Sequence, residues 1–208
     1  MKKEKFFINS VVILLIAIFF ISTVYATHLY NRSKVYSFEN GKVIRGGNSI
    51  LKTSHSGASI VLHTTKLIPS SAVTLWWVIF NHPENCTHPE GNFRCGPNDL
   101  ENLGGNSSIQ SSVLYADGGI VRNNGDIDFQ AFLPFNNTSG VLFGPGLINP
   151  TGADIHLVVR NHGLILPYIV KEQITTFGGG CNNAPNNTGI PGPNTCLDMQ
   201  FAVHEQKK

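Results

Sequence analysis

The 208-residue chain carries 15 Lys+Arg against 13 Asp+Glu, a formal excess of two positive charges that lies wholly at its start. Three Lys and Glu4 fall within the first 26 residues, which leaves twelve cations and twelve anions beyond them. A neutral domain with singly scattered basic residues lacks the clustered cations that phosphate binding needs. Nucleic acid is therefore excluded as a partner, and membrane association is expected only if the N-terminal segment is retained.

That segment places Lys2, Lys3 and Lys5 before an apolar run, Val11 to Ile21, and ends in Val24-Tyr25-Ala26. The order is that of a signal peptide: positive n-region, apolar core, small-residue exit. Residues 1–26 are read as a signal peptide, with an uncleaved N-terminal anchor as the alternative. Residues 27–208 are read as one domain outside the cytoplasm, periplasmic or secreted, and long enough for a substantial core.

After a polar stretch, Thr27 to Ser33, short apolar runs recur between turn signals. Val35–Phe38 and Lys42–Arg45 flank Asn40-Gly41, a two-residue hairpin signal. Thr53-Ser54-His55-Ser56-Gly57 has residue types found in nucleophilic sites but no Gly-x-Ser-x-Gly elbow, so it reads as a polar turn before the strand Ala58–Thr65. Ala72–Asn81 is nearly all apolar and predicts a central strand buried on both faces. Trp76 and Trp77 are adjacent in that strand and must face opposite sides.

A Pro/Asn/Gly-rich loop, His82 to Ser108, carries Cys86 and Cys95. Ser112–Ala116, Ile120–Arg122, Asp126–Phe132 and Val141–Phe143 follow as short strands. Asn123-Asn124-Gly125 and Asn136-Asn137-Thr138 supply turns. Asp117, Asp126 and Asp128 have a composition compatible with calcium but lack its loop pattern; Asp-Gly-Gly and Asn-Asn-Gly-Asp read as hairpin turns. Asp154–Arg160 and Asp198–His204 are the last strands, with one short helix, Pro167 to Thr175, between them. A second loop, Gly178 to Thr195, precedes Cys196 and contains Cys181. Gly144-Pro145-Gly146 and Gly178-Gly179-Gly180 match no phosphate-cradle spacing.

Short strands separated by Gly/Pro/Asn turns, with 21 Gly and 11 Pro in the chain, predict an all-β fold: an antiparallel β-sandwich of Ig-like or Greek-key type with long disulfide-stapled loops. In an oxidising compartment four cysteines favour disulfides. Proximity in sequence pairs Cys86 with Cys95 and Cys181 with Cys196. Zinc is the alternative, but the Cys-x-x-Cys spacing is missing. Sequons at Asn31, Asn85, Asn106, Asn136, Asn137 and Asn186 agree with loop positions.

The histidines form the one candidate constellation. Strand alternation puts His156, Val158, Arg160 and His162 on one face, with Leu157 and Val159 on the other. His156 and His162 are the candidate metal ligands, with His63, His82, His88 and His204 as further imidazoles that folding can bring near. Arg160 between them opposes a cation, and no His-x-His or His-Glu-x-x-His spacing is present. No cofactor is expected from any motif.

The segments TLWWVIFN, SVLYADG, LFGPGL, IHLVVRNHG, TFGGGC and MQFAVH resemble a family of exported bacterial proteins of unassigned activity, across residues 42 to 204. The chain is also similar to chordin-type (CHRD) β-domains, which carry an Ala-His-Ile-His-Gly-like segment after a Gly-Leu turn. Here Gly146-Leu147 is followed by Ala153-Asp154-Ile155-His156-Leu157, so Asp154 stands at the first histidine and Leu157 at the glycine. That resemblance implies a β-sandwich and carries no functional residue over. The expectation is an extracytoplasmic binding or structural module rather than an enzyme. The alternatives are a metal- or small-ligand-dependent protein using His156 and His162, and an envelope or surface assembly subunit whose long loops make its contacts.

Overall fold

The computed structural model describes residues 29–100 and 108–206, so the signal-peptide reading and the Asn106 sequon lie outside the described residues. Among the described residues the strands are β1 (Leu29–Ser37), β2 (Val43–Ser54), β3 (Gly57–Thr64), β4 (Ser71–Phe80), β5 (Ser111–Ile120), β6 (Ile127–Pro134), β7 (Val141–Phe143), β8 (Asp154–Leu164) and β9 (Leu197–His204), with one α-helix, α1 (Val170–Thr175), before β9. The all-β antiparallel class expected from the sequence is what forms. Its strands make one continuous nine-stranded ladder, in the order β6-β3-β2-β1-β9-β8-β4-β5-β7, rather than two separately hydrogen-bonded sheets. Right-handed twist accumulates across so many strands and rolls the sheet up. As a result β6 reaches β5, where the Gln130 amide donates to Asp117 Oδ2 at 2.9 Å.

The inner face of the roll holds the main core. β4 is buried along its whole length because each of its faces is covered. Leu75, Trp77 and Ile79 point inward with Leu51, Leu62 and Phe129. Trp76, Val78 and Phe80 point outward into a second cluster with Cys95, Ile109 and Val113. The two tryptophans therefore face opposite sides, as the period of two requires.

Several sequence boundaries move. Leu29–Ser33, the described part of the polar stretch, is already strand: β1 pairs with β2 from Leu29↔Thr53 onward. A strand with many exposed side chains is held by its backbone ladder, which polar residues supply as well as apolar ones. The Asn40-Gly41 hairpin closes through a four-residue loop, residues 38–41, since the Ser37 amide donates to Lys42 O at 2.9 Å and Gly41 N–H to Ser37 O at 2.9 Å. The strand expected to stop at Arg45 continues to Ser54. Gly46 and Gly47 form a bulge across from Val35, with Gly46 at φ +91° and a Cβ on Gly47 reaching within 2.8 Å of Val35 Cβ. Glycine here marks a bulge, not a strand end.

Ser112–Ala116 and Ile120 are likewise parts of one strand, β5, with Val121 and Arg122 just beyond its end, so Asp117-Gly118-Gly119 is strand and not turn. Its register against β4 shifts between Leu75 and Trp76. A Cβ at Gly118 would collide with the carbonyl of Ile174 in α1; the glycine is there to let the helix backbone approach. The turn at Asn123-Asn124-Gly125 forms as read, whereas the turn expected over Thr53–Gly57 narrows to His55-Ser56, between the paired residues Ser54 and Gly57. The helix is shorter than expected, starting at Val170. The Asn31 sequon sits on β1 rather than in a loop.

Candidate functional site

Both cysteine pairs form disulfides, Cys86–Cys95 and Cys181–Cys196. The first folds residues 86–100 back over the outer face of the sheet. Asp99 closes that loop by accepting the amides of Gly96, Thr87 and His88. Burial works against its ionisation, but these bonds outweigh it and hold the carboxyl below its ordinary range. Arg94 anchors the loop to the sheet through two bonds to the fully buried Asp154, Nε to Oδ2 at 2.9 Å and Nη2 to Oδ1 at 2.7 Å.

Between this loop and the outer face lies a cavity of about 420 Å³. Its floor comes from alternate residues of three adjacent strands: Trp76, Val78 and Phe80 of β4, His156 and Val158 of β8, Phe201 and Val203 of β9. Phe93, Pro97 and Leu100 of the disulfide loop form one wall. Phe143 of β7, Phe177 beyond α1 and Phe38 of the β1–β2 turn complete the enclosure. The rings brace one another. Phe93 meets Phe201 and Tyr36 edge-on at centroid distances of 6.0 and 5.4 Å, and Trp76 meets Phe177 edge-on at 5.3 Å.

Charge is kept at the margins. The guanidinium of Arg160 stacks on Phe177, 4.0 Å from the ring centroid. It also donates from Nη1 to Asp198 at 2.8 Å and from Nε to the Phe177 carbonyl at 3.1 Å. Arg160 therefore holds a wall of the cavity and is unavailable to an anion. Among the described residues the lining contains no Lys or Arg; its charged members are Glu90, exposed at the mouth, and the paired Asp198.

His156 is the polar exception in the floor. Phe80 packs edge-on against its ring at 4.9 Å, and its Nε2 is sealed from water with no hydrogen-bond partner among the described residues. Burial drives its pKa down to about 3, so the imidazole is neutral throughout the physiological range. Buried polar atoms without partners are uncommon in folded proteins, and this one stands in the wall of a cavity.

The strand alternation that put His156, Val158, Arg160 and His162 on one face is realised, and Leu157 and Val159 are in the main core. The side chains nevertheless serve different ends. His162 is fully buried away from the cavity, with Nδ1 on the Gly179 carbonyl at 2.9 Å and Nε2 on Thr74 Oγ1 at 2.8 Å. A carbonyl only accepts, so Nδ1 carries the proton and Nε2 accepts from Thr74. Neither nitrogen has a lone pair to spare. His162 also lies 3.5 and 3.8 Å from the sulfurs of Cys181 and Cys196, but disulfide sulfurs are not thiolate ligands.

The other histidines are dispersed. His63 pairs with Asp128, His82 with Glu84 and Gln110, His88 with Asp99, and His204 with Ser49 and Asn31. The aspartates do not converge either. Asp117 receives two backbone amides, Asp126 the side chain of Asn124, and Asp128 both His63 and Arg122.

Sequence reasoning missed the cavity. Its floor was legible in principle, because Trp76-Val78-Phe80, His156-Val158 and Phe201-Val203 are each i, i+2 sets that share a face. Phe93 and Phe177 sit in loops without periodicity and could not be placed. The chain matches no protein-family model and no curated protein sequence. Among the described residues, no helix is long and apolar enough to cross a membrane.

Proposed function

We propose that this is an exported, extracytoplasmic β-protein whose role is to bind a small apolar ligand between the outer face of its sheet and the Cys86–Cys95 loop. The observation that carries this reading is the aromatic-walled cavity of about 420 Å³, a size typical of small-molecule sites, which are mostly apolar with few polar groups. A protein would ordinarily close such a space, because unfilled apolar volume forfeits packing energy. The disulfides suit an oxidising compartment and fit a periplasmic or secreted location. The Cys86–Cys95 bond also braces the loop that covers the ligand, which lowers the ordering cost of binding.

The test is titration of the purified protein with N-phenyl-1-naphthylamine, a neutral probe that fluoresces in apolar surroundings. Saturable one-to-one enhancement is expected, with at least a tenfold loss of affinity in Val158→Phe, which fills the cavity without touching the main core. Absence of enhancement in the wild type, or binding that Val158→Phe leaves unchanged, removes this reading.

A further inference from the structure

We infer that the ligand is an uncharged ring compound bearing a hydroxyl group, and that His156 is the residue that recognises that hydroxyl; this rests on the cavity being a ligand site. Three features of the lining select this class. The walls are rings set edge-on and tilted to one another, Trp76, Phe80, Phe93, Phe177 and Phe201, surfaces that favour flat, rigid apolar bodies.

The second feature is electrostatic. A carboxylate or phosphate entering this space would be desolvated with no cation to meet it. Among the described residues the lining holds no Lys or Arg, Arg94 is committed to Asp154, and Arg160 to Asp198. Burying an unpaired ion is among the costliest events in a protein interior. A cation fares little better. Asp198 is neutralised by Arg160, and Glu90 lies exposed at the mouth, where water screens it. The deep end therefore accepts a neutral molecule.

The third feature is the unsatisfied imidazole. His156 lies between Val78 and Val203, its cross-strand partners on β4 and β9, with no hydrogen bond from either strand. Neutral imidazole has one N–H and one lone pair; Nε2 is sealed, so the hydroxyl meets Nδ1, which is neither sealed nor hydrogen-bonded among the described residues. Such a pair gives discrimination as well as affinity, because a ligand lacking the hydroxyl leaves the imidazole unpaired.

Calorimetric titration at pH 7 with naphthalene, 2-naphthol and 2-naphthoate tests the assignment. 2-Naphthol is expected to bind roughly tenfold tighter than naphthalene, and 2-naphthoate at least tenfold more weakly than 2-naphthol. In His156→Leu the advantage of 2-naphthol over naphthalene falls to within about twofold while naphthalene still binds. In His156→Gln, which keeps a hydrogen-bonding group, part of it returns. Replacing an unpaired buried imidazole by leucine spares the fold, and a thermal melt of each variant verifies that. If 2-naphthoate binds as tightly as 2-naphthol, or the 2-naphthol advantage survives in His156→Leu, the assignment is wrong while the cavity remains a binding site. If naphthalene fails to bind the wild type, the binding reading falls and this one with it.

Discussion

The indole of Trp76 and the imidazole of His162 are joined through one hydroxyl. Trp76 Nε1 donates to Thr74 Oγ1 at 2.7 Å, and Thr74 in turn donates to His162 Nε2 at 2.8 Å. The relay continues from His162 Nδ1–H to the Gly179 carbonyl. It ties a wall of the cavity to the loop that carries the second disulfide. Thr74→Val removes the hydroxyl and leaves a buried donor on Trp76 and a buried acceptor on His162. A loss of about 1–3 kcal/mol is expected in urea unfolding. An unfolding midpoint equal to that of the wild type would show that the relay contributes nothing.

Acid should weaken the fold through histidines. Burial pushes His162 and His204 down to about 4, against an ordinary value of 6.5. Above pH 6.5 both states are neutral and stability is full. Between pH 6.5 and 4 the unfolded chain takes up protons that the native state refuses, so stability falls as pH falls. The limiting slope is about 1.4 kcal/mol per pH unit for each histidine. Urea midpoints should be level from pH 7 to 8 and clearly lower at pH 5, with a smaller drop in His204→Asn. A midpoint unchanged down to pH 5 contradicts this.

The Arg94–Asp154 pair predicts strong non-additivity. Asp154 is fully buried and Arg94 about three-quarters so, with side-chain exposures of 0% and 26%. Arg94→Met leaves a buried carboxylate without its cation, a loss on the order of 3–5 kcal/mol. Arg94→Met with Asp154→Asn should recover a large part of that loss. Additive losses in the double-mutant cycle would mean that the two side chains do not act as a pair.

Neighbouring residues of β8 should respond in opposite ways. Leu157 is in the main core, so Leu157→Ala is expected to cost about 2–5 kcal/mol. Val158 borders the cavity, so Val158→Ala enlarges a space that already exists and should cost under about 1.5 kcal/mol. Thermal and urea unfolding of the two variants measure the difference. Equal losses would place Val158 in packed core and deny the cavity.

Strand content and facing were largely readable in advance. The all-apolar run around Trp76-Trp77, the inward Leu157 and Val159, and the His55-Ser56 and Asn123-Asn124-Gly125 turns all follow from a period of two and from turn chemistry. Glycine was misread where it serves packing. Gly46-Gly47 and Gly118-Gly119 look like strand ends, yet the first pair is a bulge beside Val35 and Gly118 lets α1 approach closely. Such uses depend on what the rest of the chain brings nearby. The same holds for the histidine stripe. Alternation placed His156 and His162 on one face, but what makes His162 a closed structural link and leaves His156 without a hydrogen bond in the cavity lining comes from Thr74, Gly179 and the loop around Phe93.

By itself the sequence determined an antiparallel all-β chain, the pairing of its cysteines by proximity, and which residues of each strand share a face. These follow from local geometry, since side-chain alternation and short loop closure involve only near neighbours. Tertiary structure alone decided that the strands make a single rolled ladder, and that the Cys86–Cys95 loop lies over its outer face without filling it. Strand order and loop docking are settled by contacts between residues far apart in the chain, where burial of rings such as Phe93 and Phe201 outweighs any local preference.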